Sequence, residues 1–435
     1  MKFFIYTFGC KTNTYESEAM TRLLTETGRF EAVSDYVSAD VVIVNSCMVT
    51  EESEKKARKL IRRIKRENPG CCTVLSGCMP QVKGDRCLDT GADIICGNTS
   101  RSEIVDLIDR FFGSMQNGGQ DQILSVTPHF KGEKFEMLAP SGYRNLTRAN
   151  LKIEDGCECY CSYCVIPYAR GMVRSMPVDE VCRVAKDLVS AGHREIVLNG
   201  INIGMYGKDT GATLYDSVRA AVDAGAERVR LGSIEIDLIP DETIYKLASI
   251  PVLCPHFHTS LQSGSDKVLK NMHRKYDAKE YLRKIELLRS NFENASITTD
   301  VIVGFPGETE EDFADTIRFV EKTGFFRIHV FPYSRRPGTV AAKLPDQVPI
   351  EEKKRRVKRL EEVAARLKRE FLGTQVGKTV KVLFERVGDG IAKGHAENYV
   401  EVRAKAPLNV KNTVRSVKIL SVDESGEFVT GETVD

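Results

Sequence analysis

The chain has 435 residues, 42% of them hydrophobic and 29% charged, with a formal net charge of +2 at pH 7. That is enough apolar material for packed cores in two to four domains of roughly 100–200 residues each. It contains no apolar run of the roughly 18 residues that a membrane helix needs, and its charge gives no overall field to hold a nucleic acid, so such a partner would have to be held by local basic patches. Residues 1–10 carry only Lys2 as a charge, and their apolar run is too short for a secretory signal. They read as a buried strand, which makes the cytoplasm the expected compartment. Thirteen cysteines cannot all pair, so their thiols are expected to serve metals or catalysis.

Residues 1–112 alternate strand-like and helix-like segments. Apolar runs at 3–8, 40–45 and 73–76 end at Gly9-Cys10, Ser46-Cys47 and Gly77-Cys78, and 92–96 is a fourth strand candidate. Such alternation predicts a parallel α/β sheet, whose sites lie beyond the carboxyl ends of its strands. Cys10, Cys47 and Cys78 can therefore converge at one edge, although buried cysteines are also common in cores. Residues 113–142, with Gly118-Gly119, Pro128 and Pro140, read as a linker or irregular arm.

Residues 143–370 restart the alternation, with strands expected at 151–153, 195–199, 229–235, 257–261, 297–303 and 328–331 and helices such as 177–190 and 278–290. About six β/α units predict a partial barrel with its site at the strand carboxyl ends. A charged helix follows Pro349. Residues 371–435 change to short β-rich runs at 379–385, 398–404 and 416–422, which predict a small antiparallel β-barrel of a kind used on RNA.

The chemistry is concentrated in Cys157-Glu158-Cys159-Tyr160-Cys161-Ser162-Tyr163-Cys164, just after the first barrel strand. Thiolates are natural ligands of iron–sulfur clusters, and a C-x3-C-x2-C triplet would hold three irons of a [4Fe–4S] cube, with an open position at the fourth. A structural zinc loop is the competing reading, but such loops usually use a second C-x2-C pair, and none lies downstream. Cys159 makes alternative ligand sets conceivable and is expected to be a spectator.

The same string, followed by Pro167-x-x-Arg170-Gly171, resembles the methylthiotransferase branch of the radical S-adenosylmethionine (SAM) enzymes. The likeness extends over nearly the whole chain, through Gly9-Cys10-Lys11-Thr12-Asn13, Asn45-Ser46-Cys47, Ser76-Gly77-Cys78, Leu261-Gln262-Ser263-Gly264-Ser265, Arg274-Lys275-Tyr276, the run from Asp300 to Thr309 (DVIVGFPGET) and Phe331-Pro332-Tyr333-Ser334. The tail resembles that family's TRAM domain. The resemblance implies two [4Fe–4S] clusters, one on Cys157, Cys161 and Cys164 that binds SAM, and an auxiliary one on Cys10, Cys47 and Cys78 involved in sulfur transfer. It leaves Cys71, Cys72, Cys87, Cys96, Cys182 and Cys254 to packing.

Family members insert a methylthio group at an unactivated C–H bond, beyond the reach of side-chain acid–base chemistry. By that analogy one SAM yields the radical that abstracts hydrogen, a second supplies the methyl group, and no side chain is assigned a catalytic role. An electron donor such as flavodoxin or ferredoxin is implied. Expected SAM contacts are Tyr163, Asn199, Asn202, Glu235, Gln262 and Ser263, with ordinary loop packing for Tyr163 and a structural carboxylate at Glu235 as the competing readings. Gly304, Pro306 and Gly307 read as a tight turn near the cofactor or a purely structural one.

Residues 54–67 contain eight Lys or Arg and two Glu, with Ala57, Leu60, Ile61 and Ile64 at helical spacing. One face can pack while Lys55, Arg58, Arg62, Arg63 and Arg66 meet phosphates. A second basic run, 353–369, reads equally as a solvated face. The motif Gly9-Cys10-Lys11-x-Asn13, followed by Tyr15-Glu16-x-Glu18, is most similar to the branch acting on N6-threonylcarbamoyladenosine in tRNA, next to the anticodon. Ser233-Ile234-Glu235 and the run from His329 to Arg336 agree, whereas Thr12 and Met79-Pro80 depart from that pattern. The alternatives are the branches acting on isopentenyladenosine or on a ribosomal-protein aspartate and, outside the enzymes, a non-catalytic RNA-binding iron–sulfur protein.

Overall fold

Apolar runs without alternation form strands covered on both faces. Val41–Ser46 and Cys72–Gly77 are buried at every position and form the centre of the first sheet. The computed structural model describes residues 1–119, 121–143, 147–406 and 408–434. Its first sheet has six parallel strands in the order Glu31–Ala32, Lys2–Thr7, Val41–Ser46, Cys72–Gly77, Ile94–Cys96 and Ile123–Ser125. Helices Lys11–Glu26, Glu51–Glu67 and Ile104–Gln116 connect them. The last strand comes from the segment read as an arm. Beyond it, Phe135, Ala139 and Tyr143 are buried in the core of the second domain, so this segment straps the two domains together.

The second domain is a curved parallel sheet of six strand positions. Arg148–Lys152, Glu195–Asn199 and Arg228–Leu231 pair in one part, and Ser233–Ile234, His256–Thr259, Ser296–Val303 and Arg327–Pro332 in the other. Gly232 joins the parts: its N–H donates to the Leu198 carbonyl at 2.7 Å, so the expected 229–235 strand is one strand with a break. The outer helices bury one stripe each, as Val181, Val184, Ala185 and Leu188 do on Val178–Ser190, which is the i, i+3, i+4, i+7 spacing of an amphipathic helix. Helix Ile350–Gly373 then leads to the C-terminal barrel.

That barrel closes in the order Thr379–Gly388, Ile391–Ala396, Glu401–Lys405, Val429–Thr433, Val414–Val422. The expectation of an antiparallel barrel holds for four of its five pairings; Glu401–Lys405 and Val429–Thr433 run parallel. The reason is arithmetic, since strand direction cannot alternate around a closed ring with an odd number of strands. Among the described residues no helix is long and apolar enough to cross a membrane.

Two convergent cysteine sites and the cavity between them

Three strand ends of the first sheet deliver Cys10, Cys47 and Cys78 to one place. Close approach depends on the glycines beside them. Gly9 has φ +107, and a Cβ there would sit 2.8 Å from the Cys47 Cβ; Gly77 has φ +99, and its Cβ would sit 2.5 Å from the Ser46 carbonyl. A side chain at either position would push the cysteine loops apart. Asn13 fastens the cluster of loops: its Oδ1 accepts from Cys10 Sγ at 3.2 Å, and its Nδ2 donates to Asn45 Oδ1 at 3.2 Å and the Ser46 carbonyl at 3.3 Å. Burial pushes the Cys47 thiol up to about 11, and the neighbouring charges of Cys78 and Cys10 add to that.

The second set lies in the loop after the short strand Glu154–Asp155. The Ser162 N–H donates to the Met272 carbonyl at 3.0 Å and its hydroxyl to the Asn271 carbonyl at 2.8 Å, which anchors the loop between Cys161 and Cys164. Arg274 donates to Cys161 Sγ at 3.2 Å and pairs with Glu235. Burial pushes Cys164 up to about 12, and Cys161 and Cys157 raise it further. Cys157 goes the other way, down to about 7, because the Cys159 thiol hydrogen-bonds to it. Cys159 thereby holds its own proton more tightly. All thirteen cysteines are free thiols. At Cys47 and at Cys164 the charges of neighbouring cysteines thus disfavour the thiolate, and converging thiols of this kind are the donors that a cationic iron–sulfur cluster stabilises.

Arg170 joins the sets. This fully buried guanidinium ends the short helix Ile166–Arg170 just beyond Cys164, yet its Nε lies 3.2 Å from Cys78 Sγ. It also pairs with Glu16, and with Asp155 at 3.4 Å. Around it, Arg101, Lys152 and Arg174 meet Glu16, Asp155, Glu133 and Glu136, so four cations face four carboxylates where the two domains meet. Sequence reading missed Arg170 and Arg274 as site residues; they stood only inside motif strings.

A cavity of about 220 Å³ opens between the sets, lined by Val49 and Thr50 from the Cys47 loop and by Tyr163, Cys164, Gln262, Asp300, Phe331 and Tyr333 from the barrel. Tyr163 also packs edge-on against Phe305, with centroids 6.5 Å apart. Asn202 donates to Cys159 Sγ at 3.5 Å, with Cys157 Sγ at 4.0 Å. Two expected contacts face elsewhere. The Asn199 amide bonds the Val197 carbonyl and the Thr12 hydroxyl, and the Ser263 hydroxyl bonds Thr316 of an outer helix at 3.3 Å. The backbone at Gln262, with φ 71, interrupts the strand alternation that would have turned Ser263 inward.

Of the predicted basic helix, observed over Glu51–Glu67, Arg63 and Arg66 are engaged by Glu67 and Lys55 by Glu51. Arg58 is drawn inward to Glu54 and Asp89. Arg62 is exposed and makes no ion pair among the described residues. Lys55 and Arg58 nonetheless line a groove of about 630 Å³ together with Lys83, Arg335, Arg336 and Lys343, opposed by Glu51 and Glu54. Arg336 lines both this groove and the cavity between the cysteine sets, so the two adjoin.

A model of the radical SAM superfamily matches residues 151–320, and one described as uncharacterized protein family UPF0004 matches residues 2–97. A Thermotoga maritima protein named threonylcarbamoyladenosine tRNA methylthiotransferase MtaB is 39% identical over 425 residues, 97% of this chain and 95% of that one. The chain belongs to the radical SAM methylthiotransferase family. A Bacillus subtilis relative of this methylthiotransferase carries the same name at 36% identity, covering 98% of this chain and 95% of its own. An Acetivibrio thermocellus relative named tRNA-2-methylthio-N(6)-dimethylallyladenosine synthase is 34% identical, covering 96% of this chain and 88% of its own. Among solved structures, the radical SAM methyltransferase TsrM from Kitasatospora setae, with cobalamin and a [4Fe–4S] cluster bound, aligns over 90% of this chain and 77% of that one. Its TM-score is 0.57 at 13% identity, a likeness of fold alone.

Proposed function

We propose that this methylthiotransferase converts N6-threonylcarbamoyladenosine beside the anticodon of tRNA to its 2-methylthio derivative. The observation that carries the reading is the single cavity walled on one side by the Cys47 loop and on the other by Cys164. A substrate atom there would touch Cys164 of one set and Val49 and Thr50, which follow Cys47 of the other. The names of the Thermotoga and Bacillus relatives supply the nucleoside.

In this reading Cys157, Cys161 and Cys164 hold one [4Fe–4S] cluster, and Cys10, Cys47 and Cys78 hold the other. Bound clusters and SAM supply electron transfer, hydrogen-atom abstraction, sulfur and a methyl group. The chain supplies binding, orientation and exclusion of water. Asn13 and the glycines hold the auxiliary thiols together, while Arg170 fixes Cys78 against the barrel. Arg274 donates to Cys161 and ties Glu235. Phe331, Tyr333 and Tyr163 wall the cavity with rings that keep reactive species from water. The RNA backbone lies along the groove of Lys55, Arg58, Lys83, Arg335 and Lys343, with Arg62 beside it, and the target base turns inward. A cytoplasmic flavodoxin or ferredoxin supplies electrons.

Anaerobically reconstituted protein should carry about eight irons, two clusters of four, and should methylthiolate a threonylcarbamoyladenosine-bearing tRNA in the presence of SAM and reductant. Protein that binds the tRNA and leaves its nucleosides unchanged would be a binding protein, and the reading would fall.

A further inference from the structure

Next to the cavity between the cysteine sets lies a second one, of about 380 Å³, inside the barrel. It is lined by Lys11, His258, Thr298, Arg327, His329 and Tyr399, among others. Asp300 and Phe331 line both cavities, so the two adjoin. Lys11 follows Cys10 directly in sequence and enters this chamber from the first domain. Arg327 enters from the last barrel strand. Among the described residues neither cation makes an ion pair, and Arg327 makes only a ring contact with Phe326, at 5.7 Å. The one carboxylate in the wall, Asp300, is occupied by His258 Nε2 at 3.2 Å. Lys11 is exposed at the mouth of this chamber and Arg327 is half-buried, and no free carboxylate among the described residues of the wall neutralises them, so both cations are open to an anion that enters.

We infer that Lys11, with Arg327, binds the carboxylate of the threonyl group on the target adenosine. This rests on the proposed nucleoside and identifies how it is recognised. An adenine whose carbon 2 faces the cavity between the thiol sets carries its N6 substituent on the same ring, one ring atom away across N1. That substituent can extend through the Asp300–Phe331 opening toward Lys11. The sugar and its phosphates hang from the other ring and stay outside with the RNA backbone. A hydrocarbon substituent such as isopentenyl would fill the chamber while leaving both cations unpaired, so the same residues reject it.

The test compares binding of the reconstituted enzyme to three anticodon stem-loop RNAs by fluorescence anisotropy. One carries N6-threonylcarbamoyladenosine, one its neutral threoninamide analogue and one plain adenosine. Wild type should prefer the carboxylate RNA over the amide by about 10- to 100-fold, the worth of a charged hydrogen bond. Lys11→Met should bind the carboxylate and amide RNAs alike, and Lys11→Arg should keep part of the preference. The wild-type comparison of acid with amide needs no mutation, so misfolding of a variant cannot mask the answer. Indifference of the wild type to amidation overturns the inference, as does a preference that survives in Lys11→Met. Equal weakening of all three RNAs in Lys11→Met would assign Lys11 to a backbone phosphate and overturn it too. Wild-type enzyme that modifies the threonylcarbamoyl RNA while ignoring amidation would leave the proposed function standing without Lys11. Enzyme that modifies only an isopentenyl RNA would remove the proposed function itself.

Discussion

The buried charge network between the domains makes a quantitative prediction at Glu16. Its carboxylate is 1% exposed and meets Arg101, Lys152 and Arg170. Burial pushes its pKa up, but Arg101, Arg170 and Lys152 overcome that and hold it at about 2 against an ordinary 4.5. A carboxylate depressed in the folded state adds stability above its unfolded pKa and loses it as pH falls through the folded one. The depression is worth about 3 kcal/mol at pH 7 and about 1 kcal/mol at pH 3. Glu16→Gln keeps the shape and removes the charge, leaving an excess of buried cations, a kind of loss that typically costs about 3–5 kcal/mol. The variant should therefore lose about 3 kcal/mol at pH 7, with the deficit shrinking toward about 1 kcal/mol at pH 3. The chain has no tryptophan, so urea unfolding followed by far-UV circular dichroism at the two pH values is the suitable assay. A deficit near zero at pH 7, or one of equal size at both pH values, would show that Glu16 acts through packing and refute the electrostatic account.

Three further outcomes follow from the sites. Gly77→Ala places a Cβ 2.5 Å from the Ser46 carbonyl and 2.6 Å from Asn45 Oδ1; reconstituted protein should retain about half the parent's iron, one cluster of the two, as read by iron analysis. Cys159→Ala should keep the full iron content, because Cys159 acts here as a hydrogen-bond donor to Cys157, whereas Cys161→Ala should lose about half; equal loss in both would make Cys159 a ligand. Replacing Arg335 and Lys343, which line the basic groove without ion pairs among the described residues, with Ala should flatten the log–log salt dependence of tRNA binding by about one to two. Arg63→Ala should leave the slope nearly unchanged, since Glu67 already neutralises that charge.

Much of the fold was legible because its signals are local. The apolar runs ending in cysteine became strands ending in cysteine, and the six barrel strands fall at the six expected segments. Gly9 and Gly77 could be read as motif members, but their reason, a close approach between separate strand ends, exists only in three dimensions. What stayed hidden depends on distance in sequence or on local backbone direction. The Arg170–Glu16 pair spans 154 positions, and nothing in a one-dimensional pattern chooses that partner. Ser263 was placed at a strand end correctly, but the left-handed backbone at Gln262 turns it toward an outer helix. The basic run at 54–67 showed the sign of its charges, while the partners at Glu51, Glu67 and Asp89 appear only in the folded chain. Lys11 was visible within its motif, and its solitude in the chamber was not.

The central claim, methylthio transfer to threonylcarbamoyladenosine, is tested most directly by nucleoside mass spectrometry of tRNA from a strain lacking this gene. The account predicts that 2-methylthio-N6-threonylcarbamoyladenosine disappears, that its unmethylthiolated precursor accumulates in its place, and that the intact gene restores the product. An undiminished level of that nucleoside, with loss of a different methylthio product, would contradict it.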